Sequence, residues 1–216
     1  MFMKKIILVL AIFASVQVNA QSFYKGALIA DLTTGFDIYN VTYHYGLKGS
    51  NLTYDHNDRA GSHGPSLGLE YGLGKWFGLG ARGKFDTYFV SKDANTGYTP
   101  KVTAFEVGLI LNAHVVRKEH FDLAIGLDAG YSNLLYKLND ALGQEIYGSG
   151  SWVNLHITPR YYFGRFGLNM SLNFPSINYP NMTTSSNLAN STFYSSWKAS
   201  GWGMNFGIQF RFLNEK

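Results

Sequence analysis

The decapeptide YDHNDRAGSH (Tyr54–His63) gathers Asp55, His56, Asp58 and His63 within ten residues. Carboxylates and imidazoles this dense could hold a divalent ion or divide acid and base work between them near neutral pH. The spacing opposes both uses, because it fails the oxygen pattern of a calcium loop and lacks the tight ligand grouping of zinc sites. A solvated, turn-rich loop accounts for the same residues. Ser62 and His63 are adjacent, and His156 and Thr158, two residues apart, would share one strand face. Neither arrangement sets a base beside an accessible nucleophile. The expectation is no catalytic residue, no metal site and no cofactor.

A second set of reactive side chains is spread along the chain at alternate positions. The acids Asp31, Asp37, Glu70, Asp86, Glu106, Asp122 and Asp128, the bases Arg82, Lys84, Arg160 and Arg211, and His114 and His156 sit between apolar neighbours. Their positions depend on the elements that carry them. FDLAIGLDAGY sets Phe121, Leu123, Ile125, Leu127 and Tyr131 against Asp122, Gly126, Asp128 and Gly130, and WGMNFGIQFRF sets Trp202, Met204, Phe206, Ile208, Phe210 and Phe212 against Gly203, Asn205, Gly207, Gln209 and Arg211. This period of two marks strands. Eight such segments occur, beginning with the least regular, GALIADLTTGFDIY.

The connections sort into two kinds. GKW, RKEH and GR join segments two to three, four to five and six to seven, whereas stretches of roughly Asn40–Gly64, Val90–Pro100, Asn133–Ser151 and Pro175–Ser200 join the others. Strict alternation of short and long connections, with an even strand number, fits a transmembrane barrel with tight periplasmic turns and long extracellular loops. A soluble ligand-binding barrel is the competing architecture. Volume decides between them. Eight strands enclose a lumen just wide enough for side chains to fill it, so the bulky parity belongs outside, against lipid, and the parity rich in Gly and polar groups belongs inside. The expected lumen is a polar network of Glu70, Arg82, Lys84, Asp86, Glu106, Asp122, Asp128, His156, Arg160 and Arg211. Buried charges of both signs there should pair, since an isolated buried ion is costly.

The ends and the composition agree with export. MFMKKIILVLAIFASVQVNA opens on Lys4 and Lys5, runs apolar from Ile6 to Val16 and closes on Val18-Asn19-Ala20. That is the form of a signal peptide over residues 1–20, too short in its apolar run to span a bilayer as a helix. The remainder, 21–216, reads as one barrel domain. There is no Cys, so neither disulfides nor a lipidated cysteine are available. The formal charge of +4 includes both leader lysines, and no basic run follows them. Nucleic acid is not an expected partner. The last long connection, FPSINYPNMTTSSNLANSTFYSSW, carries no charge and mixes Tyr, Trp and Phe with Ser, Thr and Asn, a composition that suits adaptable contact surfaces.

On these segments the chain resembles the small eight-stranded outer-membrane barrels of Gram-negative bacteria, the class of the OmpA membrane domain, OmpX and OmpW. The resemblance implies an all-β, eight-stranded antiparallel up-and-down transmembrane barrel in the cell outer membrane, with both termini periplasmic. It also implies outer-membrane lipid and lipopolysaccharide as surroundings, and the outer-membrane assembly machinery as a partner. Asn205, Gly207, Phe210 and Phe212 match the spacing of that machinery's terminal signal in the family, with LNEK following. The function implied is non-enzymatic: membrane stabilisation, or surface interaction through the long loops with an extracellular partner the sequence does not identify. A narrow conduit for small hydrophobic molecules, as in OmpW, is the alternative, and a lipid A-modifying enzyme is a third. Replacing both Phe210 and Phe212 by Ala is expected to lower the amount of barrel reaching the outer membrane in cell fractionation, while protein refolded in vitro keeps its stability. Normal insertion of the double variant would make the terminal match incidental.

Overall fold

The computed structural model describes residues 22–47, 53–91, 99–137, 145–184 and 192–212. Residues 1–20, expected as a signal peptide, the tail LNEK and parts of all four long connections lie outside the described residues. Eight strands follow one another: β1 (Leu28–Leu47), β2 (Thr53–Gly72), β3 (Phe77–Phe89), β4 (Lys101–Arg117), β5 (Phe121–Lys137), β6 (Glu145–Phe163), β7 (Phe166–Thr184) and β8 (Thr192–Phe212). Each pairs antiparallel with its chain neighbours, and β1 closes the ring on β8 from Leu28↔Phe212 to Leu47↔Thr192. No open sheet edge faces lipid around the belt, which a bilayer requires.

Leu67, Leu69, Tyr71, Leu109, Leu155, Phe166 and Ile208 stand on the outer wall, each about half exposed or more, while their alternate neighbours Ser66, Glu70, Gly108, Asn154, Gly167 and Gln209 turn inward. Leucine and phenylalanine left uncovered in such numbers define a surface made for acyl chains rather than water. Among the described residues no helix is long and apolar enough to cross a membrane.

Three short connections, 73–76, 118–120 and 164–165, lie at one end of the barrel. The last needs its glycine: Gly164 has φ +69°, the left-handed conformation that a two-residue hairpin turn demands. At the opposite end the strands run much further than the apolar outer pattern indicates. The expected loop Asn40–Gly64 is instead mostly wall, since β1 continues to Leu47 and β2 starts at Thr53. Tyr54–His63, expected as a loop, forms the upper part of β2 and pairs with β1 from Tyr45↔Tyr54 to Phe36↔His63. The connections expected at 133–151 and 175–200 shorten in the same way. A twenty-residue strand at about 3.3 Å per residue, tilted at roughly 45°, rises well beyond an apolar band about 25 Å tall. The upper wall therefore stands clear of the membrane.

Proline marks three seams. The β2–β3 ladder skips Gly64 and Pro65, the β6–β7 ladder skips Thr158 and Pro159, and the β7–β8 ladder skips Phe174 and Pro175. Each proline removes a backbone donor from the ladder. At the first seam the strands come very close, since a Cβ at Gly64 would fall 1.7 Å from the carbonyl oxygen of Phe85 and only glycine fits there.

Candidate functional site

The inward residues form stacked layers, and the lowest one sits beside the turn end. His114 on β4 places Nε2 2.8 Å from Glu70 Oε1 on β2 and Nδ1 2.8 Å from Asp122 Oδ2 on β5. Both ring nitrogens thus face carboxylate oxygens, an arrangement that an imidazolium satisfies by donating twice. Arg160 on β6 adds a second cation, with Nη1 2.8 Å from Glu70 Oε2 and 3.7 Å from Asp122 Oδ2. Its N–H is not aligned on either oxygen, so the attraction is ionic rather than a directed hydrogen bond. All four groups are buried. Two acids and two cations make this layer neutral.

The middle layer is built on Arg82. Its Nη1 lies 2.7 Å from Asp128 Oδ2, and Nη2 lies 3.8 Å from Asp31 Oδ1. Asn154 donates to Asp128 at 3.2 Å and to Asn173 at 3.3 Å. His156 reaches Asp128 Oδ1 only at a skewed 3.3 Å, and its Nδ1 meets Thr158 Oγ1 at 2.9 Å, with Thr158 in turn bonded to Ser171. Above it, Lys84 Nζ binds Asp37 at 2.6 Å and Asp86 at 2.8 Å. Buried Glu106 lines with Lys84 and Asp37 a space of about 20 Å³, room for about one water. Nine of the ten residues of the expected network therefore lie in these three layers, on the five strands β2 to β6.

Arg211 stands apart from the layers and holds the floor. Its Nη1 donates to Ser22 O at 2.8 Å, Nη2 donates to Gly164 O at 3.0 Å, and its guanidinium covers the ring of Tyr162. The segment preceding β1 folds into the turn end of the barrel. Ser22 N donates to Lys118 O, Ser22 Oγ donates to Phe121 O, and Phe23 stacks on His114 with ring centroids 3.4 Å apart. Phe23, Ala27, Ile29 and Tyr162 form an apolar floor under the ionic layers. The period-two pattern turns Ile29 and Tyr162 inward but does not announce Phe23 and Ala27, because residues 22–27 belong to no strand.

A roof matches the floor, and it too departs from a wholly polar lumen. Tyr39, Val41, Tyr88, Leu134, Trp152, Ile177, Tyr179 and Trp197 turn inward and cluster across the upper barrel. Trp197 meets Tyr179 at 5.2 Å and the edge of Tyr88 at 5.7 Å. Two of the hydroxyls retain partners at the margins, Tyr39 with Asp37 at 3.3 Å and Tyr179 with Ser132 at 2.6 Å. On the same strands the outer wall becomes polar, as at Asn40, Thr42, Ser149, Ser176 and Lys198. The pattern has inverted: above the bilayer water wets the outside and the apolar side chains move in. Following the same parity past Tyr39 and back from Ala199 finds the roof in the sequence, once those stretches are read as strand rather than loop.

The Asp and His residues of Tyr54–His63 do not converge. His44 contacts Asp55 across the β1–β2 pair, His56 stacks with Tyr43, and His63 stacks on Phe89. No group of three or more metal-binding side chains occurs among the described residues. Near the long-loop end Lys137 binds Glu145 at 2.5 Å, and this bond, with that from Tyr147, holds the Glu145 carboxyl below its ordinary range. Of the terminal-signal residues, Asn205 lines the small polar space, Gly207 packs against β1, Phe210 is half-buried and Phe212 exposed.

No family model and no curated protein matches the chain. Solved structures do match its fold. The outer membrane protein OprG from Pseudomonas aeruginosa superposes with a TM-score of 0.62 at 12% identity, covering 91% of this chain and all of OprG. The outer membrane protein AlkL, determined in DMPC bilayers, gives 0.53 at 13% identity over 94% of this chain and 97% of its own. The fold is that of the small outer-membrane β-barrels. Replacing His114 by Ala is expected to destabilise the refolded barrel by about 3–5 kcal/mol, because Glu70 and Asp122 lose the cation between them. Urea unfolding in lipid vesicles measures the loss, and a change below about 1 kcal/mol would show that the layer carries little of the stability.

Proposed function

We propose that the protein is a closed, non-enzymatic outer-membrane barrel that anchors and stabilises the membrane while its long-loop end provides a surface for interaction. The observation that carries this reading is the double seal. An aromatic roof and the Phe23 floor enclose three ion-paired layers, so the lumen offers no continuous aqueous path and its acids, bases and imidazoles are held away from any substrate. The wall that rises above the apolar belt presents polar side chains on β1, β2 and β6–β8.

A second reading keeps one observation in its favour. The β7–β8 ladder is interrupted at Phe174–Pro175, close beneath roof residue Ile177, which would give a small apolar molecule held in the roof a sideways way into lipid. The barrel would then be a conduit entered from outside.

One experiment separates these readings from a pore. The refolded barrel in a planar bilayer is expected to show no steady single-channel steps. Trp197→Ala combined with Tyr179→Ala, which opens the roof, should introduce small currents only if the floor is removed as well by Phe23→Ala. Steady conductance of the unaltered protein, shifted by neutralising Arg82 or Glu106, would overturn the closed-barrel reading.

A further inference from the structure

The outer wall near the turn end is not evenly filled. Phe121, Pro159, Tyr161, Leu168, Met170 and Phe206 border a groove of about 420 Å³ that crosses β5 to β8 and opens toward the lipid side. It lies over the seam where Pro159 interrupts the β6–β7 ladder, and Arg160, Asn169 and Gly207 complete its lining. It is a depression of the size of a small-molecule site.

Charge at this end is also uneven. Among the described residues the short connections and the floor segment carry Lys25, Lys75, Arg117, Lys118 and Arg165 against the single acid Glu119. Arg117 lies over the Trp76 ring, with the guanidinium carbon 3.7 Å from its centroid. Lys118 and Arg165 precede the lining residues Phe121 and Leu168 by three positions each, a reach of at most about 10 Å. His120 closes the side between them, its ring 6.2 Å from that of Tyr161 and its Nδ1 at 3.1 Å from Tyr162 O.

We propose that this is a binding site for one anionic phospholipid, with an acyl chain lying in the groove and the headgroup phosphate between Lys118 and Arg165. Two independent features specify the ligand. The apolar groove on a wall already facing lipid selects a chain, and the basic rim at the level where the strands end selects a negative headgroup. A zwitterionic lipid satisfies the first feature and not the second. Lipid A satisfies the charge, but its several chains exceed a single groove. The site makes the turn end a lipid-selective foot.

Native mass spectrometry of the whole barrel released from bilayers containing equal phosphatidylglycerol, phosphatidylcholine and lipid A tests the proposal. One phosphatidylglycerol is expected to remain bound, in preference to the other two. Lys118→Gln and Arg165→Gln should each lower that preference by roughly fivefold, with heat-modifiable migration as the check that each variant still folds. Met170→Trp, or Leu168→Trp if the first variant does not fold, fills the groove and should remove the retained lipid while heat-modifiable migration stays unchanged. Equal retention of phosphatidylglycerol and phosphatidylcholine, preferential retention of lipid A, or a phosphatidylglycerol adduct that survives in the folded tryptophan variant would each overturn it.

Discussion

A strand in hydrocarbon must find a partner for every backbone N–H and C=O, and that demand organises this protein more than any side chain does. It forces β1 onto β8, and with only eight strands the closed ring leaves a bore that side chains fill. Everything placed on the inner parity is then buried, whatever its polarity. The charged residues have no alternative to one another: Glu70, Asp122, His114 and Arg160 meet because the ring brings four separate strands to one level. Such clusters are costly to assemble and more costly to break. They give the barrel one registration, since a slip of a single residue would move every charge onto the lipid face.

Two different solvents act along the same strands. Within the bilayer, lipid draws Leu, Phe and Ile outward and leaves the polar groups inside; above it, water draws Asn40, Ser176 and Lys198 outward and drives Tyr39, Ile177 and Trp197 inward. The upper section obeys the rules of a soluble barrel and the lower section those of a membrane barrel, on one unbroken ladder. The apolar roof this produces, together with the Phe23 floor, confines the charges to the middle of the lumen.

This change of solvent also sets how far the fold could be read from sequence. Segments such as Phe121–Tyr131 and Trp202–Phe212 are legible because lipid selects a bulky residue at every second position. The short turns are legible because their length is fixed by hairpin geometry. The strand extensions are harder, since at Asn40 and Ser200 the outer signal stops and polar residues suggest a loop, while the continuing inner signal of Val41, Ala199 and Trp197 is visible only if parity is carried across that point. The placement of the inner charges follows from parity, but their partners do not: which acid faces Arg82 depends on stagger between strands. The floor was not legible, because Ser22 and Phe23 owe their places to contacts with distant strands rather than to any local pattern.

Those contacts carry a consequence for the order of assembly. Ser22 bonds to groups 99 and 189 residues away along the chain, and Phe23 rests on a histidine that is itself held between β2 and β5. The first described residues therefore have nowhere to dock until the last strand is in place, because closing such long loops gains nothing before the surrounding wall exists. Until that moment the ionic layers remain open to water from below. They can exchange partners while hydrated, and Ser22 and Phe23 then shut them in, so that a segment preceding every strand in the chain is the last of the barrel to become ordered.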